Sequence, residues 1–178
     1  LGLSAVEVAE ICTAVAGSDV VTPANFNSPQ QTVIAGDAEA VERARDAAME
    51  RGAKRTIALA VSAPFHCSLM QPAAEKLEPE LGRVRFRPMS APVVTNVEAT
   101  ENADPQRISA LLKAQVTAPV RFVESVEYLV SQGVTHFLEV GPGNVLTGLV
   151  GRIQRRTKRA NVVSMNEMDE ARKFLVDA

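Results

Sequence analysis

His66 is the residue whose type and position best suit acid–base chemistry. It lies in a loop over residues 62–66 that follows residues 55–61, a run of consecutive apolar positions that predicts a strand covered on both faces. α/β folds place catalytic groups in loops at the carboxyl ends of such strands, and histidine exchanges protons near neutral pH. Position alone weighs a general base about equally against a buried histidine that bonds a backbone carbonyl.

No nucleophile accompanies this candidate base. Cys67 is its neighbour, but adjacent side chains rarely point at one another, and a free cysteine is often a small buried hydrophobe. The sequence contains no GxSxG elbow, and its spacing supports no Ser-His-Asp arrangement. His136 lies inside an apolar run and is interpreted as packing.

Polar side chains around a predicted turn form a second group. Asn25, Asn27 and Gln31 could hydrogen-bond a carbonyl or carboxylate, although turn stabilisation is the simpler interpretation. Residues 141–143, Gly-Pro-Gly, could offer backbone amides to an anion, but their spacing matches no phosphate-binding loop. A tight turn from strand to helix is therefore preferred.

Basic residues cluster late in the next predicted helix. Cations favour helix carboxyl ends, so a solvated helix end is one interpretation, and a contact to phosphates or to an acidic protein is the other. The cluster consists of Arg152, Arg155, Arg156, Lys158 and Arg159.

The composition limits the class of protein. Of 178 residues, 46% are apolar and 22% charged, which is typical of a globular domain, and a net charge of −2 argues against nucleic-acid or membrane partners recruited by bulk charge. Cys12 and Cys67 form no CxxC pair, which favours a reducing, cytoplasmic compartment. Neither histidine has metal-ligand spacing, and no apolar run approaches the roughly 20 residues of a membrane helix.

The elements before residue 62 follow the order α-β-β-α-β. A capping box at Ser4 and Glu7 begins a helix that Gly17 ends, strands are predicted over 19–25 and 31–35, and a helix follows Asp37. With the strand at 55–61, this order matches a split βαβ, ferredoxin-like unit without its first strand. We therefore expect that strand, and the rest of a longer protein, before Leu1.

The elements after residue 62 alternate between helix and strand, which predicts a mostly parallel, covered sheet. Helices are predicted over 72–81, with distortion at Pro79, and over 108–116 and 119–132. Strands are predicted over 92–96, 135–140 and 161–164. A helix with Leu146, Leu149, Val150 and Ile153 on one face is predicted after Gly143, and a last helix over 167–176.

Four ordered motifs, spread over essentially the whole chain, resemble the malonyl-CoA:acyl carrier protein transacylases. Residues 61–70 (VSAPFHCSLM) are similar to that family's histidine motif. Three further segments resemble its small-subdomain hairpin, the segment before its late helix, and its strand–GPG–helix signature; these are residues 25–36, 114–120 and 137–148.

The resemblance implies a fold and a division of the chain. Residues 1–61 would form a ferredoxin-like small subdomain, and residues 62–178 would form the C-terminal part of an α/β-hydrolase-like large subdomain. The family's serine elbow belongs to the opening part of that large subdomain, so the nucleophile is expected in a missing N-terminal portion. The chain by itself is then expected to be inactive.

The same resemblance implies a mechanism and partners. A malonyl group would pass from malonyl-CoA to a serine and then to the phosphopantetheine thiol of acyl carrier protein, in fatty acid biosynthesis and without a cofactor. His66 would act as general base, oriented by the main-chain carbonyl of Gln115. Phe65 would select malonyl over methylmalonyl, and Asn25 and Asn27 would line the substrate cleft.

Two alternative functions stay open. The chain could be the acyltransferase domain of a polyketide synthase or multidomain fatty acid synthase, or a non-catalytic ferredoxin-like binding module. An RNA-binding module of this fold would carry aromatic residues on its central strands, whereas only Phe26 lies near them.

Two positions depart from the family that the chain resembles. Gln30 replaces a glycine, which would strain a turn that needs positive φ, and Pro79 interrupts a helix.

Overall fold

The computed structural model describes residues 1–176 as a mixed α/β structure. Its chain divides into two compact units, Leu1–Ser125 and the residues from Val126 onward. The helices are α1 (Ala5–Ala16), α2 (Ala38–Glu50), α3 (Gln71–Gly82), α4 (Ile108–Thr117), α5 (Phe122–Ser131), α6 (Val145–Ile153) and α7 (Met168–Val176). The strands are β1 (Val21–Ser28), β2 (Gln31–Gly36), β3 (Val93–Val94), β4 (Glu101–Asn102), β5 (His136–Val140) and β6 (Lys158–Val162). The predicted boundary after residue 61 stays a prediction.

The predicted start of α1 is confirmed. The Ser4 hydroxyl accepts from the Glu7 backbone N–H, while the Glu7 carboxylate accepts from the Ser4 N–H at 2.8 Å. Helices α1 and α2 pack on the antiparallel β1–β2 hairpin around a buried apolar cluster. Its members are Leu3, Ile11, Cys12, Val21, Ala40, Ala44 and Ala53.

The backbone strain that was predicted for Gln30, in the turn of the hairpin, does not occur. Among the described residues, positive φ at a non-glycine position occurs at His66 and Ala99, so Gln30 does not need it. The second departure, Pro79, lies inside α3, and the helix nevertheless continues to Gly82.

The prediction of a covered strand at residues 55–61 is wrong. The segment forms no ladder within residues 1–176, and Ile57, Leu59 and Val61 are exposed by 57%, 55% and 63%. Backbone pairing stops where the segment begins, at the bonds from Lys54 N–H to the Leu1 carbonyl and from the Leu1 amino group to the Arg55 carbonyl. Apolar composition favours a strand, but a strand forms only where a neighbouring strand supplies hydrogen bonds.

The prediction of a mostly parallel, covered sheet also needs correction. The described strands form three separate pairs, and only β5 and β6 run parallel. Strand β5 is half-buried rather than covered, with Val140 at its end 75% exposed. Helix α5 begins at Phe122, so Pro119 lies in an extended connection and not in a first helical turn. No helix within residues 1–176 is long and apolar enough to cross a membrane.

Candidate functional site

The backbone of His66 adopts a conformation that non-glycine residues rarely use. Its φ of 63° lies in the left-handed region, at a cost on the order of 1–2 kcal/mol. The residue lies in a turn directly before a short 3-10 helix, Ser68–Met70, that leads into α3. Strained backbone of this kind concentrates at functional sites, where the surrounding structure holds it in place.

The imidazole of His66 is oriented by the end of α4. Its Nδ1 lies 2.9 Å from the backbone carbonyl oxygen of Gln115, and the side-chain Nε2 of Gln115 lies 3.4 Å from the same ring nitrogen. A carbonyl can only accept, so the shorter contact requires that Nδ1 carry the proton. The Nε2 lone pair of His66 is therefore available to accept a proton.

The side chain of Gln115 serves a different contact. Its amide donates to the Ala118 carbonyl at 3.0 Å, which holds the last turn of α4 and the residue that follows it. Because the closer carbonyl oxygen requires a proton on His66 Nδ1, this nitrogen cannot also accept from the Gln115 side-chain amide at 3.4 Å.

The segment after α4 connects this site to the hairpin. Val120 donates to the Ala24 carbonyl at 2.8 Å and accepts from the Phe26 N–H at 2.9 Å, so it forms a parallel bridge opposite Asn25. Hydrogen bonds, together with the backbone from Ala118 to Val120, therefore link His66 and Gln115 to β1 within the first unit.

Arg121 anchors the same segment from its other side. Its guanidinium bonds the Glu124 carboxylate through two nitrogens and the Glu98 carbonyl through the third, and its backbone N–H donates to the Asn96 carbonyl at 3.0 Å. The hydrogen bonds between the two side chains lower the pKa of Glu124 and raise the pKa of Arg121. Both groups stay charged near neutral pH, so the anchor is permanent.

The thiols of the chain serve packing. Cys67 is 2% exposed, and its thiol donates to the Pro64 carbonyl at 3.1 Å, which braces the turn that carries His66. Burial raises the pKa of Cys12 to about 11. Both thiols are buried, so neither is accessible to a substrate.

The other predicted site residues lie on the same unit without direct bonds to His66. Phe65 is 49% exposed, so its ring is free to line a binding surface. Asn25 and Asn27 are half-buried on β1, and within residues 1–176 their side-chain amides make no hydrogen bond. A register shift between Phe26 and Ser28 places Asn27 at a bulge, a feature that redirects side chains.

The Gly-Pro-Gly loop at residues 141–143 belongs to the second unit, and the Glu139 side chain occupies the amino end of the helix that follows it. The Glu139 carboxylate accepts from the backbone N–H groups of Leu146 and Thr147 and from the Thr147 hydroxyl, at 3.1, 2.7 and 2.6 Å. These bonds lower the pKa of Glu139, with the Thr147 hydroxyl as the largest cause. The preferred interpretation, a tight turn from strand to helix, fits this arrangement.

Sequence reasoning missed the capping role of Glu139 and misplaced the basic cluster. Helix α6 ends at Ile153, so most of the cluster lies in the turn after it and on β6. There Arg159 donates to the carbonyls of Gln154 and Thr157, at 3.3 and 2.7 Å, and closes the turn. Glu139 lies five residues before Asn144, the residue directly before α6, and this position could have indicated its capping role, because acidic side chains favour helix amino ends.

His136 is a packing residue, as predicted. Its ring packs edge-on against Phe174, with 5.1 Å between ring centroids, and its Nδ1 lies 2.8 Å from the Thr135 hydroxyl. The two histidines of the chain are therefore in different environments: Nδ1 of His66 contacts a backbone carbonyl, whereas Nδ1 of His136 contacts the hydroxyl of its neighbour Thr135.

The chain is similar to a family of known proteins. The family described as "Acyl transferase domain" matches residues 2–177. The malonyl CoA-acyl carrier protein transacylase of Escherichia coli (strain K12) is 49% identical over 153 residues, which cover 86% of this chain and 50% of the relative. The protein of the same name from Bacillus subtilis (strain 168) is 49% identical over 143 residues, 79% of this chain and 44% of the relative.

Solved structures give the same result. The malonyl CoA-acyl carrier protein transacylase from Coxiella burnetii superposes with a TM-score of 0.95 at 39% identity, over 98% of this chain and 55% of that one. A malonyl-transacylase in complex with a type II polyketide acyl-carrier protein has a TM-score of 0.93 at 45% identity, over 96% and 55%. The chain spans about half the length of the curated relatives it matches.

Proposed function

Because this chain belongs to the acyl transferase domain family, we propose that the full-length protein transfers a malonyl group from malonyl-CoA to acyl carrier protein in fatty acid biosynthesis. The observation that carries the proposal is the 2.9 Å contact between His66 Nδ1 and the Gln115 carbonyl, which leaves Nε2 free as a base. The names of the relatives supply the acyl donor and the acceptor.

The reaction proceeds in two symmetrical halves. His66 Nε2 takes the proton of a serine hydroxyl that lies outside residues 1–178, and the serine oxygen attacks the malonyl thioester carbonyl. Collapse of the tetrahedral intermediate breaks the C–S bond, and the imidazolium returns its proton to the CoA thiolate. In the second half His66 deprotonates the phosphopantetheine thiol, which attacks the malonyl-serine, and the serine oxygen recovers the proton.

The backbone partner of His66 shapes this chemistry. A carbonyl fixes the tautomer as an aspartate would, but it places no negative charge beside the ring. The imidazolium is therefore stabilised less than it would be in a Ser-His-Asp triad, which favours prompt return of the proton to the leaving thiolate.

The residues around His66 complete the proposed site. The exposed ring of Phe65 occupies the space that an α-methyl group would need, which selects malonyl over methylmalonyl. The free amides of Asn25 and Asn27 line the cleft and offer donors to polar groups of the substrate.

We assign residues 1–61 to a ferredoxin-like small subdomain and residues 62–178 to the C-terminal part of an α/β-hydrolase-like large subdomain. The order α1-β1-β2-α2 supports the first assignment. Two free cysteines, both buried, suit the cytoplasm, where thiols stay reduced.

Malonyl exchange by the full-length protein tests the proposal. His66→Gln should lower kcat/KM for transfer from malonyl-CoA to phosphopantetheine-bearing acyl carrier protein by about 10²–10⁴-fold, the usual contribution of a general base. His136→Gln is the matched control and should leave the rate within about twofold, because His136 packs against Phe174 in the other unit of the chain. Unchanged transfer in His66→Gln would refute the role of His66.

A second measurement separates the complete protein from this part of it. Residues 1–178 alone should transfer no malonyl group, because they contribute a base and no activated serine. Transfer by the isolated residues at a rate near that of the full-length protein would show that the nucleophile lies within them.

A further inference from the structure

We infer that Glu98 is a positioning residue for His66, because it bonds an arginine on each side of α4, the helix that carries Gln115. The inference rests on the proposed function for its catalytic consequence, whereas its structural consequence rests on hydrogen-bond geometry. Glu98 acts through the position of α4 and not through the imidazole itself.

The side chain of Glu98 bonds the residue directly before α4. Nη2 of Arg107 donates to both carboxylate oxygens of Glu98, at 2.7 and 2.9 Å, and α4 begins at the next residue, Ile108. Hydrogen bonds between two charged groups are roughly twice as strong as neutral ones. The beginning of α4 is therefore tied to Glu98.

The main chain of Glu98 bonds the connection after α4. Its carbonyl oxygen accepts from Nη1 of Arg121 at 3.1 Å, and the Asn96 carbonyl accepts from the Arg121 backbone N–H at 3.0 Å. Arg121 follows shortly after Thr117, the last residue of α4. Glu98 is thus bonded on both sides of the helix, through its carboxylate before it and through its carbonyl after it.

A tight turn holds Glu98 in place. The Ala99 N–H donates to the Thr95 carbonyl at 2.8 Å, and the Thr95 N–H donates to the Thr100 carbonyl at 3.1 Å. Ala99 is buried with a φ of 56°, a left-handed conformation that a non-glycine residue keeps only where the surrounding structure enforces it. The turn therefore presents the carboxylate and the carbonyl of Glu98 from a fixed position.

Helix α4 has little apolar burial to hold it. In the part of the chain that the structure describes, none of its ten residues is fully buried, and an open cleft of about 480 Å³ lies between it and α3. The ion pair of Lys113 with Glu78, at 2.6 Å, connects the two helices beside this cleft. Burial stabilises in proportion to the apolar area removed from water, so the position of α4 depends on polar contacts, and those of Glu98 hold its two ends.

A shift of α4 would change the contact that orients the base. The Gln115 carbonyl lies in the last turn of α4 and accepts from His66 Nδ1–H at 2.9 Å. Hydrogen bonds have a narrow range of distances and weaken steeply as they bend, and misplacement of a catalytic group by about 1 Å can lower a rate by about 10²-fold. Without the bonds of Glu98, the ring would be held less firmly in the tautomer that leaves Nε2 free.

The test removes the side-chain contact from either side in the full-length protein. Glu98→Ala and Arg107→Ala each break it, and the double variant shows whether the two side chains act as one unit. Glu80→Ala is the matched control, because Nη1 of Arg83 donates to both Glu80 carboxylate oxygens, at 2.8 and 3.0 Å, at the end of α3. Nitrogen chemical shifts of ¹⁵N-labelled histidine report which ring nitrogen carries the proton, and His66→Gln identifies the signals of His66 by their loss.

We expect the wild-type protein and Glu80→Ala to hold the His66 proton on Nδ1, and Glu98→Ala and Arg107→Ala to shift the signals toward the Nε2-protonated form. The value of kcat should fall by about three- to tenfold, with KM for malonyl-CoA within about twofold, because the contact orients the base and binds no substrate. The double variant should shift no further than either single variant. Unchanged His66 signals in folded Glu98→Ala overturn the inference, whether or not activity falls, and so does a double variant with the sum of the two single shifts.

A milder variant keeps the test decisive if Glu98→Ala folds poorly. Glu98→Gln keeps the backbone carbonyl and one side-chain oxygen as acceptors but loses the charge, so it weakens the bond to Arg107 without removing it. A shift of the His66 signals in folded Glu98→Gln supports the inference, and signals identical to wild type overturn it. Absence of malonyl transfer by the wild-type protein would refute the proposed function, whereas the His66 signals would still decide the role of Glu98.

Discussion

Two turns of this chain use a side chain to complete a helix end, and they do so with opposite outcomes. At the end of α4, the Gln115 carbonyl accepts from His66, and the far nitrogen of the ring remains free. At the start of α6, the Glu139 carboxylate accepts three hydrogen bonds, from the backbone of Leu146 and Thr147 and from the Thr147 hydroxyl. The first arrangement orients an imidazole whose second nitrogen can still accept a proton. In the second, the carboxylate is occupied by its hydrogen bonds to the helix end.

The backbone conformations express the same difference. His66 holds a left-handed conformation that costs free energy, whereas the positive φ values of the Glu139 turn fall on Gly141 and Gly143, where they cost little. A turn that only connects two elements uses glycine at such positions. A turn that must place an imidazole keeps the strained residue, because glycine has no side chain to contribute.

The largest effect that would test this contrast comes from two substitutions at His66. His66→Gly and His66→Ala should each lower kcat/KM for malonyl transfer by about 10²–10⁴-fold. The free energy of unfolding of the glycine variant should nevertheless be about 1 kcal/mol higher than that of the alanine variant, because only alanine is strained in the left-handed backbone conformation. Urea denaturation of both variants in the full-length protein measures this difference, and an alanine variant at least as stable as the glycine variant would contradict the strain.

A smaller effect is expected at Phe65, the residue before His66. Phe65→Ala should reduce the preference for malonyl-CoA over methylmalonyl-CoA by about tenfold, since one methyl group is worth 1–3 kcal/mol of discrimination. The ratio of the two kcat/KM values measures it. Leu69→Ala, which truncates another exposed apolar side chain nearby, should leave the ratio unchanged. An unaltered ratio in Phe65→Ala would remove this residue from the site.

At the second turn the expected effect is on stability alone. The pKa of Glu139 is lowered in the folded protein, so its contribution to stability is fully present above the ordinary glutamate pKa of about 4.3 and is lost as pH falls through the lower folded value. Glu139→Gln should therefore lower Tm at pH 7, and the difference from wild type should narrow below pH 4. Malonyl transfer at pH 7 should not change.

The control for Glu139 is Glu127→Gln, at an exposed glutamate of α5. It should leave Tm and its pH dependence as in wild type. A Tm difference for Glu139→Gln that stays constant from pH 7 to pH 3 would show that the carboxylate charge is not what holds the turn.

The smallest effect belongs to the bond that ties the Gly-Pro-Gly loop to β6. The Asn161 side chain donates to the Gly143 carbonyl at 3.2 Å, and Asn161→Ala should lower the free energy of unfolding by about 0.5–1 kcal/mol. Urea denaturation measures it, and kcat/KM should stay at the wild-type value. A fall in activity without a loss of stability would mean that this turn, too, contributes to the reaction.

The sequence by itself determined the features that depend on near neighbours along the chain. The capping box of Ser4 and Glu7, the two strands of the hairpin and the helix that follows Asp37 all appeared within a few residues of their predicted positions, because caps, turn residues and side-chain periodicity act over a few positions along the chain. The histidine motif also identified His66, since its neighbours resemble those of a known family.

Only the tertiary structure decided the features that depend on distant partners. His66 and Gln115 are 49 residues apart; the resemblance to a known family implied their contact, but no periodicity of the sequence reveals it, and the structure gives the distance of 2.9 Å. Residues 55–61 show the converse, because their composition predicts a covered strand and yet their side chains lie exposed where no described strand pairs with them. Local propensity acts through the chain itself, whereas strand pairing and the orientation of the imidazole require a second segment, and the amino-acid sequence does not show where that segment lies.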